Sequence, residues 1–143
     1  MKRPPIEILR EGRAILDPVM NEHGFSFIEG AAGRSSGGPF AGGVYVNADR
    51  KLEIHYRFAL GLVTYHFGDS CIDHESYMRA VLGDKRGNRY PGFSEDPLAA
   101  FHDLAYDLQN FATAFLDGNP RQFALYAVAA DEWKKIPGIA RLP

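Results

Sequence analysis

"LEIHYRFALGLVTYHF", Leu52 to Phe67, decides the fold. Apolar and polar residues alternate through it with a period of two, and Leu60-Gly61 breaks the run in the middle. Such alternation describes strands with one buried face, and two runs around a tight turn describe an antiparallel hairpin. A two-residue turn at Leu60-Gly61 sets Phe58 opposite Val63, Tyr56 opposite Tyr65 and Ile54 opposite Phe67. All six then point to the core, and a one-residue slip would scatter them. The other face carries Arg57 opposite Thr64 and His55 opposite His66, with Glu53 alongside. The two imidazoles are expected roughly 5 Å apart at Cβ.

Upstream, "PPIEILREGRAILDPVMNEHGF" reads as a helix. Pro5 suits its first turn, Ile8, Gly12, Ile15 and Val19 share one face, and Gly24 suits the position just past its end. Pro18 should kink it or end its regular part. "FSFIE" (Phe25 to Glu29) and "VYVNA" (Val44 to Ala48) are two further strands, separated by the glycine-rich run "GAAGRSSGGPFAGG", residues 30–43, which reads as a flexible loop. Downstream, "DHESYMRAVLG" has the form of a helix capped by Asp73 and stopped by Gly83. Asp96-Pro97 opens a second helix with Phe101, Leu104, Leu108, Phe111 and Phe115 at 3-4 spacing, the expected packing seam. Asn119-Pro120 opens a third, with Phe123, Tyr126, Ala127, Ala130 and Trp133 on one side. Residues 136–143 read as an irregular tail.

The order is α-β-β-β-β-α-α-α. Strands followed by helices, without βαβ alternation, indicate a single α+β domain over residues 1–143. In it a four-stranded antiparallel meander is packed on one face by the N-terminal and C-terminal helices.

Composition narrows the function. A net charge of −2 gives no general attraction to phosphate backbones or anionic lipid, so neither nucleic acid nor membrane is an expected partner. A single cysteine excludes an internal disulfide framework. The opening "MKRPPIEILREG" has no long apolar segment, and no stretch approaches eighteen apolar residues, so the expected location is the cytoplasm. The glycine run follows a strand but lacks a Lys-Ser/Thr end and leads into another strand, which argues against a phosphate-binding loop.

The candidate sites are few. His55 and His66 could supply two nitrogen ligands to zinc with Asp69 or Glu53 as a third, or a general acid/base pair. No HExxH, CxxC or HxH spacing supports a metal, and the reading takes no cofactor. Cys71, between His66 and His74 ahead of a helix, could be a nucleophile with a lowered thiol pKa, although a small core plug is the simpler expectation. His74, Asp69 and Asp73 read as turn and cap residues. The loop "GDKRGNRYPGF" carries Arg86, Arg89, Tyr90 and Phe93, a composition suited to a protein contact. Asp103 and Asp107, four residues apart, read as an exposed helix face salt-bridged to Arg86 or Arg89.

The segment "RYPGFSEDPLAAFHDLAYDLQNFATAFLDG" (Arg89 to Gly118) resembles one found in small bacterial α+β proteins. The opening "ILDPVMNEHGFSF" is similar to domains that run helix, GF, antiparallel meander, some of them toxin-immunity-like. The resemblance implies a non-enzymatic interaction or accessory module and carries no functional residue over. Glu53, His55, Arg57, His66, Arg86, Arg89, Tyr90 and Phe93 are the expected partner-binding residues, with a homodimer through a sheet edge as a further expectation. The alternative is a small hydrolase or metal-dependent enzyme using His55 and His66 with Cys71 or Asp69.

Overall fold

Residues 3–35, 38–85, 87–92 and 94–135 are described by the structure, a computed structural model. The chain forms an α+β domain in the order α1 (Pro5–Glu22), β1 (Ser26–Ser35), β2 (Gly38–Asn47), β3 (Arg50–Tyr56), β4 (Leu60–Phe67), β5 (Ser70–Asp73), α2 (His74–Leu82), a 3-10 turn (Gly83–Lys85), α3 (Ala99–Phe111), α4 (Thr113–Leu116) and α5 (Pro120–Lys135). Every strand pairs with its sequence neighbour, so the sheet is a meander ordered β1-β2-β3-β4-β5. It has five strands rather than four. The fifth, "SCID", is too short for a period to show in sequence.

The described part of the glycine-rich run is strand rather than loop. On either side of residues 36 and 37 it continues β1 and β2 as one long hairpin, with Ala32 paired to Ala41 and Arg34 to Pro39. A shift between Glu29 and Ala32 takes up the irregularity. Two glycines are needed by packing. A Cβ on Gly43 would collide with the Phe27 ring, and one on Gly12 of α1 would collide with Phe101 of α3. Small residues here let a ring or a helix approach the backbone. Pro18 sits inside α1 without ending it, and the helix runs on to Glu22 before Gly24 at φ +84° turns the chain.

The β3–β4 hairpin keeps the expected faces but not the expected register. Its turn is Arg57–Ala59, closed by Tyr56 opposite Leu60, with the Arg57 N–H donating to the Ala59 carbonyl at 3.1 Å. Leu52, not Tyr56, stands opposite Tyr65. The slip is four residues, an even number, so Ile54, Tyr56, Val63, Tyr65 and Phe67 all remain buried. Phe58 alone changes sides. It rides on the turn and is 74% exposed.

All the helices lie behind one sheet face. α1 packs on β1, β2 and β3, and α5 on β4 and β5, with α3 against α1. Phe101, Leu104 and Leu108 of α3 are buried, as the 3-4 spacing predicts, and Phe115 follows them in α4. Phe115 stacks on Phe25 at 5.2 Å and meets Tyr65 edge-on at 5.0 Å, while Phe123 of α5 packs 5.6 Å from Phe67. Arg50 at the head of β3 donates to the Phe115 and Leu116 carbonyls at 2.8 and 2.7 Å, which closes the end of α4 onto the sheet. Among the described residues, no helix is long and apolar enough to cross a membrane.

Candidate functional site

Histidines occupy both faces of the sheet, and their surroundings differ. His74 opens α2, where Asp73 caps the helix by accepting from the Ser76 N–H at 3.2 Å and the Ser76 hydroxyl at 2.7 Å. Asp73 is the expected cap. His74 is not a cap residue; it is 2% exposed and points into the core. The Tyr65 hydroxyl donates to its Nδ1 at 2.7 Å, and its Nε2 donates to Asp107 Oδ2 at 2.9 Å. Asp107 also accepts the backbone N–H groups of Arg89 at 2.6 Å and Tyr90 at 2.8 Å. This pattern assigns the proton of the imidazole to Nε2 and leaves no polar atom of the line unpaired.

Asp107 is fully buried, so the exposed acidic helix face expected for Asp103 and Asp107 does not exist. The carboxylate does reach the Arg89 loop, but through main-chain amides. The Arg89 guanidinium lies instead over the Tyr106 ring, 3.6 Å from its centroid. Tyr90 is not a surface residue either; its hydroxyl donates to the Leu60 carbonyl, and burial pushes the phenol up to about 12. Burial also lifts the Tyr65 phenol well above its ordinary value. A Tyr-His-Asp line has the look of a proton relay, but His74 and Asp107 are shut away from solvent. It pins the loop and α3 to the sheet.

Among the described residues, no helix lies on the opposite face. Along β3 it presents Lys51, Glu53 and His55, and along β4 Leu62, Thr64 and His66. His55 and His66 do share this face, as the alternation predicts. They are not a pair: His55 stands opposite Leu62 and His66 opposite Lys51. Four residues along a strand separate them by about 13 Å. His55 stacks on Phe40 of β2, centroids 5.6 Å apart and planes 16° apart. Gly42 faces His55 across the ladder and leaves backbone as the floor. His66 Nε2 meets Glu53 Oε1 at 3.2 Å.

Phe40, Lys51, Glu53, His55, Leu62 and His66 line an open groove of about 600 Å³. Leu62 is 46% exposed, and Ile28 of β1 is 56% exposed. Arg57, expected beside Thr64, sits on the turn, where it donates to the Gly38 carbonyl at 3.3 Å and lies 5.6 Å over Phe40. Cys71 is not a core plug. It is exposed on β5 directly opposite His66. Asp69 lies in the β4–β5 turn, and no three His, Cys, Asp or Glu groups among the described residues are placed to hold a metal ion. Arg86 and Phe93 lie outside the described residues, as does the tail expected at 136–143.

Sequence reasoning missed Phe40, Leu62 and Lys51 as parts of this surface. Leu62 and Lys51 could have been found by carrying the alternation to the ends of the hairpin; Phe40 could not, because it lay in a run read as loop. Comparison of the chain with family models, curated proteins and solved structures finds no match to any of them.

Proposed function

We propose that this chain is a non-enzymatic protein-interaction module of a bacterial cytoplasm, immunity-like in kind, which contacts its partner through the open face of the sheet. One observation carries the reading: among the described residues, helices cover the five strands on one face only, and the other face holds an open groove with apolar residues at its centre. Phe40 stacked on His55, with Leu62 beside them, supplies desolvatable contact area. Lys51 and Glu53 supply both signs of charge for orientation. The titratable groups lie spread along an exposed groove rather than around an enclosed pocket, which favours binding over catalysis. Pairing through a sheet edge is the weaker route, because β5 has four residues and the ladder of β1 is interrupted between Glu29 and Ala32.

The test is affinity capture from the host's own extract with three baits: the native chain, Leu62→Arg on the groove, and Leu125→Arg on the exposed side of α5. The expected result is a stoichiometric partner retained by the native chain and by Leu125→Arg and weakened at least about tenfold by Leu62→Arg, roughly the effect of one lost central contact. A partner held equally by all three, or none at all, overturns the reading.

A further inference from the structure

We propose that Cys71 is a reactive thiol site that takes a small-molecule disulfide, with His66 as the base that removes its proton and Glu53 as the residue that positions His66. The β4–β5 hairpin has a two-residue turn, Gly68-Asp69, closed by Phe67 opposite Ser70. The next pair out, His66 and Cys71, is of the kind in which side chains approach most closely, with Cβ atoms about 4.5–5.5 Å apart. Both side chains leave the same face of the sheet. Glu53 accepts from His66 Nε2 at 3.2 Å, so Nδ1 is the nitrogen left to accept the thiol proton. A nucleophile, a base beside it and a carboxylate orienting the base is the arrangement that activates a thiol.

The charged groups around the pair act in both directions. Lys51 of β3 stands directly opposite His66 and favours a thiolate. Asp73, two residues along β5, and Asp69 in the turn oppose it. α2 and α5 contact β5 from behind, where Ile72 is buried. Cys71 is exposed, so a disulfide can reach it. The thiolate sulfur attacks one sulfur of the reagent, the reagent's S–S bond breaks, and a mixed disulfide forms on Cys71. The departing thiolate takes the proton held on His66. The disulfide is the oxidant and the step balances without another reactant. The assignment holds whether or not the face binds a protein.

The chain has one cysteine, so every thiol signal reports this site. The experiment follows the rate of reaction with dithiobis-nitrobenzoate against pH, on the native chain, His66→Gln and Glu53→Gln, with the native chain in urea as reference. Both substituted residues are partly or wholly exposed, and circular dichroism checks that the variants are folded. The native midpoint is expected at least about one unit below the roughly 8.5 of a free cysteine. One unit gives about eightfold more thiolate at pH 7 and an intrinsic reactivity roughly threefold lower, a net gain of about threefold over the urea reference. His66→Gln should return the midpoint to about 8.5, with Glu53→Gln in between. Glutathione disulfide should add one glutathione to the native chain by intact mass, removable by dithiothreitol. A native midpoint at or above the free value, an unchanged midpoint in His66→Gln, or no glutathione adduct overturns the proposal. A Glu53→Gln profile identical to the native one removes Glu53 from it.

Discussion

The two faces of the sheet use the same residue types for opposite ends. Behind it, His74 and Asp107 lie 2.9 Å apart with almost no exposure, and each polar atom of the line has a partner. In front of it, His66 and Glu53 lie 3.2 Å apart, with 36% and 51% of their side chains exposed. The buried pair has lost its water, so removing one member leaves the others with unmet hydrogen-bonding capacity. The exposed pair exchanges each lost contact for water and adds little to stability. An imidazole beside a carboxylate is thus a fastening on one face and an adjustable chemical group on the other.

The strongest way to break that contrast is to remove Asp107. Asp107→Ala strands the His74 Nε2 proton and the Arg89 and Tyr90 amides. Urea denaturation should show a loss of about 3–5 kcal/mol. A loss under about 1 kcal/mol would mean that the buried line is not a fastening. Adjacent glycines on β2 offer a smaller comparison. Gly43→Ala drives a methyl into Phe27 on the packed face and should cost about 1–3 kcal/mol. Gly42→Ala puts it on the open face, 3.3 Å from the Ile54 carbonyl, and should cost less than about 1 kcal/mol. Equal effects would contradict the assignment of faces.

Alkaline pH sharpens the comparison one phenol at a time. Burial raises Tyr45, Tyr65 and Tyr77, all behind the sheet, above their ordinary value. A folded-state value above the unfolded one contributes stability that is intact below the unfolded value, near pH 10, and lost as pH rises through the folded one. Melting temperature should therefore fall above about pH 10. For Tyr65→Phe the accompanying decline in unfolding free energy should be shallower by about 1.4 kcal/mol per pH unit. Glu53→Gln on the open face should leave that limb unchanged. A pH-independent Tm up to about pH 11 would show that these phenols are not held from water.

The α+β class, the antiparallel meander and the assignment of Ile54, Tyr56, Val63 and Tyr65 to the core were legible in the chain. A period of two reports which face a residue takes, and that survives an even slip in register. The same pattern is silent about which even register is chosen. Packing against the helices and the bulge between His55 and Tyr56 selected one four residues away from the two-residue-turn reading, and so separated His55 from His66. The glycine-rich run misled for a related reason. Glycine lowers strand preference locally, and only the Phe27 ring, brought in from the neighbouring strand, explains why Gly43 belongs in one.

By itself, then, the amino-acid sequence determined the helices, the β3–β4 hairpin and most of their inward faces, because periodicity is a local property of the chain; the fifth strand and the glycine-rich ends of β1 and β2 have no such period. Only the tertiary structure decided which polar groups meet. It set His66 beside Cys71 and Glu53, and it buried His74 against Asp107, thirty-three positions away. Those pairings depend on strand register and on where α3 lands, and both are set by the fit of the whole core rather than by any one stretch.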